Sequence, residues 1–326
     1  MVTIVLRFPS VPTPPDTASG GQERPVDDRM RCPRRRILIA VFVLVLTAPV
    51  RTWAQSADAP GTATVTADDR GRLEFVLVPA GTFVMGSPDT EWGSRNDEQQ
   101  HSVTITRPYF LAKCEVTQTQ WAAVMQTSPS FLYDCPDCPV ETVSWLEAVA
   151  FCNGLSRQMG FPCAYTIRDS VVSWNQETDG FRLPTEAEWE YACRAGTTTV
   201  FHTGDCLNTE QANYLGYDPQ KGCAKGMWRG QAVAVGSFPP NAWQLLDMHG
   251  NVSEWCWDRH GFPTPAPTID PVGPATGGER VIRGGNWHEL GRNCRSAMRH
   301  KAEPGQRFTH VGLRLARSLP RERTRP

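Results

Sequence analysis

The density of backbone breakers is the feature that most constrains the fold of this chain. It contains 27 glycines and 27 prolines among 326 residues. Proline removes a helical hydrogen bond and glycine favours turns, so a coiled coil or a long-helix protein is excluded. A hydrophobic content of 40% nevertheless excludes a disordered chain. The sequence therefore predicts a loop-rich globular domain with short helices and strands.

The charge distribution argues against a nucleic-acid partner. The formal net charge is −1, and the first 54 residues hold eight arginines against four acidic residues. The rest of the chain is therefore mildly acidic and has no basic stripe. Because nucleic-acid binding depends on neutralising phosphates with clustered lysine and arginine, we expect no such partner.

The N-terminal region has the pattern of a secretory signal. Four arginines between positions 31 and 36 precede an apolar run over residues 37–50, and cleavage after Ala54 or Ser56 fits the small-x-small rule. The alternative is a membrane anchor, but this run is short for a span of about 20 residues. We expect residues 1–54 to be an upstream extension plus a signal peptide. The protein would then be secreted or periplasmic, with no stable membrane span after signal removal.

Cysteine usage agrees with export. Cys32 lies in the signal, and an even number of cysteines in an exported chain indicates disulfides. The pair Cys135 and Cys138 could form a structural disulfide, a redox motif or half of a zinc site. The other cysteines beyond the signal are Cys114, Cys152, Cys163, Cys193, Cys206, Cys223, Cys256 and Cys294.

Three short helices are predicted by capping boxes, in which a hydroxyl and a residue three positions later satisfy each other's backbone N–H groups. Each box precedes a helix that carries a tryptophan near its start. The boxes are Thr117 with Gln120, Ser144 with Glu147, and Thr185 with Glu188.

Strand patterns occur on both sides of these helices. Residues 73–78 and 81–85 flank Pro79-Ala80 and predict a hairpin, and late strands are predicted at 280–283 and 311–316. Residues 196–280 show no sustained periodicity. We therefore predict a linker over 55–71, one domain over 72–317 and a disordered tail over 318–326.

Seven ordered motifs resemble the formylglycine-generating enzyme family, also called the sulfatase-modifying-factor family. The resemblance covers roughly residues 72–317. The motifs are PAGTFVMG (79–86), EVTQ (115–118), PVETVSW (139–145), RLPTEAEWEY (182–191), GNVSEW (250–255), RGGNW (283–287) and VGLR (311–314). The resemblance implies a C-type-lectin-like α+β fold, loop-rich and disulfide-stapled. Authentic members use copper and O₂ to oxidise a sulfatase cysteine to Cα-formylglycine.

The resemblance also implies calcium. The family's second calcium site corresponds here to Asp247, the carbonyls of Gly250 and Val252, and Glu254, an oxygen-rich tight loop of the kind that calcium prefers. The alternative is a plain turn with solvated acids. For the first site, Asn213 and the Tyr214 carbonyl match, but the acidic ligand falls at Met227, which cannot bind calcium. Asp218 could substitute for it.

The catalytic segment departs most from the family. Authentic enzymes carry two copper-binding cysteines after the Gly-Gly pair, whereas residues 284–293 contain none and the segment is shorter. His288 and Glu289 occupy the loop and could ligate another metal such as iron, since imidazole and carboxylate suit it. The alternative is a pair of solvated loop side chains, which we favour. A copper-dependent activity is therefore in doubt.

The resemblance also suggests how the cysteines pair. Cys294 lies near a structural cysteine of the family, whose partner would be Cys193. The remaining pairings expected on this basis are Cys135–Cys138, Cys152–Cys163, Cys206–Cys223 and Cys114–Cys256. No thiol would then remain for chemistry.

Two functions follow as hypotheses. The first is an exported oxidase of this family that acts on a protein or peptide substrate with altered metal chemistry. The second is a calcium-stabilised, lectin-like binding module or envelope scaffold without catalysis. In either case we expect a protein, peptide or envelope partner and a monomeric state.

Overall fold

The computed structural model describes residues 62–67 and 71–320. The predicted signal peptide within residues 1–54 lies outside the described residues, as do residues 321–326 of the predicted tail. In the described part of the chain, no helix is long and apolar enough to cross a membrane. The elements there are β1 (Thr62–Ala67), β2 (Gly71–Val78), β3 (Gly81–Met85), β4 (His101–Ile105), β5 (Tyr109–Ala112), α1 (Gln118–Met125), α2 (Trp145–Gln158), β6 (Tyr165–Arg168), β7 (Val171–Trp174), β8 (Phe181–Arg182), α3 (Glu186–Arg194), β9 (Ser253–Arg259), β10 (Thr268–Ile269), β11 (Arg280–Arg283), β12 (His300–Ala302), β13 (Val311–Leu313) and β14 (Ala316–Ser318).

All three helices begin at the predicted capping boxes. At α3, the Thr185 hydroxyl accepts a hydrogen bond from the Glu188 N–H, and the Glu188 carboxylate accepts one from the Thr185 N–H. Equivalent boxes begin α1 and α2. Helices this short do not persist alone in water, so buried side chains must hold them. Each helix contributes one almost fully buried tryptophan: Trp121, Trp145 and Trp189.

The predicted hairpin across residues 79–80 is wrong. β2 lies in a five-stranded sheet of order β1-β2-β5-β14-β8, whereas β3 pairs with β4 in a separate sheet. Both edges of β2 are already occupied, by β1 and β5, so no edge is left for β3. Pro79 and Ala80 therefore connect two sheets instead of two neighbouring strands.

The domain extends beyond its predicted ends. β1 lies within the segment 55–71 that was interpreted as a linker, and its six residues pair antiparallel with β2. At the other end, β14 includes Ser318, the first residue of the predicted tail, and pairs with β5 and β8. The polar composition of residues 55–71 suggested a linker, but the backbone of β1 is ordered by its pairing with β2.

A four-stranded sheet of order β12-β11-β9-β13 contains β9, a strand that periodicity did not predict. The first four residues of β9 are all buried, so the strand lacks the alternation of a half-exposed strand. β9 pairs antiparallel with β11 and parallel with β13. It begins directly after the GNV segment, so the sheet holds the loop that carries the predicted calcium ligands.

Two of the predicted disulfides are present. Cys135–Cys138 and Cys206–Cys223 have Cα–Cα distances of 5.2 and 5.5 Å, which lie within the usual range for a disulfide. The first pair is therefore a structural bridge in this fold, and not half of a zinc site. Each of the two bridges closes an irregular loop.

The other three predicted disulfides are wrong, because their six cysteines are free. Cys152 is buried in the core around α2, whereas Cys163 Sγ contacts the Asn153 carbonyl. Cys114 lies beside Gly236 and is half-buried, whereas Cys256 is buried within β9.

The unpaired Cys193 and Cys294 both contact the His249 imidazole. Cys193 Sγ lies 3.8 Å from His249 Nε2, and His249 Nδ1 bonds the Cys294 carbonyl at 2.8 Å. The two sulfurs also belong to different hydrophobic clusters. Cys193 packs with α3, and Cys294 packs with Phe201 and Tyr214.

Candidate functional site

The turn before β9 depends on residues with left-handed backbone conformations. Gly250 has φ +77°, and a Cβ there would lie 2.2 Å from the Asn213 carbonyl oxygen. Asp247 and Asn251 also have positive φ, at 57° and 60°. The Asn251 N–H donates to the Asn213 carbonyl, which draws the two predicted calcium loops together.

Glu254 does not present a free carboxylate to this turn. Its two oxygens accept hydrogen bonds from Arg314, at 2.8 to 3.0 Å, and Oε2 also accepts from Trp189 Nε1 at 2.7 Å. Arg314 is itself fully buried and directly follows β13, so the ion pair ties α3, β9 and the last strands together. The structure therefore assigns Glu254 a structural ion pair.

Asp247 lies beside a carboxyl group that the sequence reasoning missed, that of Glu115. Both are at most 5% exposed, and Asp247 Oδ1 and Glu115 Oε2 have no hydrogen-bond partner among the described residues. Burial raises the pKa of both carboxyls, and the neighbouring Asp247 raises that of Glu115 further. Arg314 lies 3.9 Å from Glu115 but already pairs with Glu254.

These contacts leave a buried excess of negative charge. Three carboxyl groups, of Glu115, Asp247 and Glu254, face the single guanidinium of Arg314. An uncompensated buried carboxylate is costly, so the group must hold protons or a bound cation. A hard cation such as calcium fits the unpaired oxygens.

The two residues of the predicted first calcium site also lie at this turn. Asn213 is fully buried, its Nδ2 bonds Asn251 Oδ1 at 3.3 Å, and its Oδ1 has no partner in the described part of the chain. Tyr214 is buried with its hydroxyl on the Leu207 carbonyl. The Met227 side chain is exposed. Over residues 73–320, no three His, Cys, Asp or Glu side chains are arranged to hold a metal, so calcium here would need amide and backbone oxygens as well.

The segment that replaces the family's catalytic cysteines contains no accessible thiol. Cys294 is fully buried, and a Cβ on Gly285 would lie 2.6 Å from its sulfur. Burial raises the pKa of the Cys294 thiol far above its ordinary value, so it stays protonated at neutral pH. Since the thiolate is the nucleophile and the metal ligand, Cys294 cannot take either role as placed.

His288 and Glu289 point to different neighbours. Glu289 accepts from Asn293 Nδ2 at 2.5 Å and lies 4.0 Å from His300 Nε2. The exposed His288 ring instead lies 5.3 Å from the Trp287 ring and 6.3 Å from that of Trp228. The structure does not bring these two side chains together as a metal pair.

Aromatic rings cover this part of the surface. Trp228 stacks on Trp287 at 6.3 Å with an interplanar angle of 19°, and its Nε1 donates to the Trp287 carbonyl. Tyr217 packs edge-on against Trp228 at 6.1 Å. Trp228 is 44% exposed and Tyr217 51%. We call Tyr217, Trp228, Trp287 and His288 the aromatic platform. Sequence reasoning missed it because its members come from two loops brought together only by folding.

The fold and this loop arrangement define a C-type-lectin-like α+β protein of the formylglycine-generating enzyme type. The sulfatase-modifying factor enzyme 1-like domain matches residues 62–319. The chain therefore belongs to the formylglycine-generating enzyme (sulfatase-modifying factor) family.

Its relatives include enzymes and proteins with other names. The formylglycine-generating enzyme of Thermomonospora curvata is 30% identical, over 74% of this chain and 92% of that protein. The chaperone protein LppX of Paenibacillus barcinonensis is 29% identical, over 75% of this chain and 89% of that protein. The solved structure of Treponema denticola variable protein 1 superposes with a TM-score of 0.67 at 30% identity, covering 80% of this chain and all of that one.

Proposed function

We propose that this chain is an exported binding member of the family, which recognises a peptide segment of a partner protein and does not generate formylglycine. The observation that carries the proposal is that residues 284–293 contain no cysteine, while aromatic rings are exposed at this segment. The described thiol nearest this segment in sequence, Cys294, is fully buried. Large, rigid aromatic side chains provide contact area at a low entropic cost, which suits recognition of a peptide.

The oxidase alternative requires a metal that these residues do not fit. Copper in this family needs two soft thiolates, and residues 284–293 contain no cysteine. Iron would need more ligands than His288 and Glu289, and no group of three His, Cys, Asp or Glu side chains among the described residues could hold a metal ion. We expect no aldehyde when the protein is incubated with Cu(I), O₂ and a peptide containing Cys-x-Pro-x-Arg. Aldehyde formation, with copper or with added Fe(II), would refute the binding-only role.

The platform is tested by selection from a random-peptide phage library. We expect enriched peptides to bind the wild type and to lose at least about fivefold in affinity with Trp228→Ala, because stacked aromatic contacts are worth about 1 kcal/mol. Tyr133→Ala is the matched control, since Tyr133 is also exposed but lies outside the platform. Failure to enrich any peptide, or binding confined to a glycan array, would contradict the proposal.

We also propose that calcium stabilises the turn before β9. Asp247 and Glu115 would hold the ion with their unpaired oxygens, and it would neutralise the buried charge there. Calcium should then raise the melting temperature, because a ligand that binds only the folded state stabilises it by mass action. Asp247→Asn should abolish this rise, and Asp89→Asn, at an exposed acid outside both predicted calcium sites, should leave it unchanged. Identical melting curves of the wild type in calcium and in excess chelator would exclude the site.

A further inference from the structure

A cavity of about 320 Å³ lies away from the aromatic platform, at the start of α3. Its walls come from α3, the end of β9, the proline-rich segment 261–274 and residues 85–99, and it shares no lining residue with the platform. This volume lies at the lower end of the range for small-molecule pockets. It is large enough to enclose an extended aliphatic side chain.

Five carboxylates line the cavity, and four of them are paired. Among the described residues, Glu186 pairs with Arg299 at 2.5 Å, Glu190 with Arg194 at 2.9 Å, Glu98 with Arg295 at 2.8 Å and Asp97 with His260 at 2.9 Å. Asp258 is the fifth and has no ion pair with any residue in this part of the chain. Asp258 is therefore the one carboxyl group of the cavity without an ion-pair partner among the described residues.

Asp258 is held in place with one oxygen left over. It is 3% exposed, and its Oδ2 accepts a hydrogen bond from the Glu186 N–H at 2.8 Å. Its Oδ1 accepts no hydrogen bond from any described residue. Gly273, with φ +79°, packs against this carboxylate, where an added Cβ would lie 2.8 Å from Asp258 Cβ. The residue that covers the Asp258 carboxylate is therefore a glycine, and it has no side chain that could pair with the carboxylate.

The cations that line the cavity are already engaged. The Arg299 guanidinium donates to Glu186 and to the carbonyls of Asp97 and Gly261. Arg259 donates to the Gly277 carbonyl. Burial, followed by the nearby Glu186 carboxylate, raises the pKa of Asp258 well above its ordinary value, and the Arg299 guanidinium offsets only part of this rise.

One side of the wall is apolar. Met85, Ala187 and Val272 line it together with three prolines, and the Phe262 ring is exposed at its rim. Other lining side chains are polar: Gln99, His101, Thr264 and Thr268. An apolar side beside one buried acid suits a ligand with an aliphatic stem and a cationic end. We propose that this cavity binds an alkylammonium group, with Asp258 Oδ1 as its acceptor. The group would be either the lysine side chain of a protein or a free alkylamine.

Calorimetry with three probes tests this. Nα-acetyl-lysine N-methylamide represents a lysine residue, cadaverine represents a free alkylamine, and the Nε-acetylated form of the first probe removes the charge. We expect the first or the second probe to bind and the acetylated probe to bind at least tenfold more weakly. The tighter of the two charged probes identifies the source of the ammonium group. Absence of binding by both, or equal binding of the acetylated probe, would overturn the proposal.

Variants separate recognition from folding. Asp258→Asn keeps an oxygen for the Glu186 N–H, so the fold should persist while affinity falls at least tenfold. Asp137→Asn, an exposed acid outside the cavity, should change nothing. Val272→Phe narrows the cavity, leaves the Asp258 side chain in place and should also abolish binding. This variant tests the proposal even if Asp258→Asn does not fold. Unchanged affinity in a folded Asp258→Asn or Val272→Phe protein would overturn the proposal. Neither result depends on the platform, whose variants are tested separately.

Discussion

At the scale of single residues, the partners and the burial of cysteine and histidine side chains determine where these side chains carry their protons. His249 Nδ1 faces the Cys294 carbonyl, which can only accept, and its Nε2 lies 3.1 Å from the His202 N–H, which can only donate. These partners fix the neutral imidazole with its proton on Nδ1. The ring also lies against Cys193 Sγ, so the His249 side chain contacts Cys193, His202 and Cys294 at once.

The thiols provide a test at this scale. We expect peptide mapping of the non-reduced protein to find only Cys135–Cys138 and Cys206–Cys223 as disulfides within the described residues. Cys193 and Cys294 should resist alkylation in the native protein and react after denaturation. Burial raises the pKa of Cys193 to about 12 and that of Cys294 still further, so neither forms the reactive thiolate. A cross-linked Cys193–Cys294 peptide would contradict the structure.

At the scale of elements, short helices are positioned by their first turns. α3 begins with the Thr185 box, and its Glu188 carboxylate also pairs with Arg182 at 2.6 Å. The Tyr109 hydroxyl donates to the Glu188 carbonyl from the neighbouring sheet. The start of α3 thereby positions the residues of this helix that line the cavity beside Asp258. It also positions Trp189, which donates to Glu254 in β9.

Thr185→Ala should lower the free energy of unfolding by about 1 kcal/mol, because the Glu188 N–H loses the Thr185 hydroxyl that accepts its hydrogen bond. Urea denaturation measures the loss. Thr185→Ser is the control and should retain most of the stability, since it keeps the hydroxyl. Equal losses in both variants would show that the methyl group, and not the cap, matters.

At the scale of the whole molecule, buried arginine–glutamate pairs connect distant segments. Arg295 bonds Glu98 and Glu91, Arg283 bonds Glu190, and Arg314 bonds Glu254. Removing one partner of such a pair costs about 3–5 kcal/mol, because it leaves an uncompensated buried charge. The Arg314 pair reinforces the contact between β9 and β13, the Arg283 pair joins β11 to α3, and the Arg295 pairs join two segments that no sheet connects.

The buried histidines also make global stability depend on pH. Burial lowers the pKa of His202 to about 4 and lowers that of His249 well below its ordinary value. The unfolded chain therefore takes up more protons, and the stabilisation present above about pH 6.5 is lost as the pH falls towards 4. Relative to His249→Gln, we expect the wild type to lose about 1 kcal/mol or more between pH 7.5 and 5. Parallel pH profiles of the two proteins in urea titrations would refute this role.

The sequence by itself determined those elements that depend on residues a few positions apart. The capping boxes placed all three helices, and the ordered motifs identified the family and the α+β fold. The turn at Gly250 was also predictable, because its tight backbone has a short-range signature. Strand β9 was not, since a strand buried on both faces shows no alternation.

Tertiary structure alone decided which distant groups meet. Glu115 joins Asp247, and the rings of Tyr217 and Trp228 meet Trp287, because packing brings loops together that are far apart in sequence. The cysteine count could not reveal that Cys193 and Cys294 stay free and both contact the His249 imidazole. Charge compensation is likewise a property of the packed interior. Glu186 and Asp258 look alike in the sequence, but only Glu186 is reached by an arginine in the folded chain.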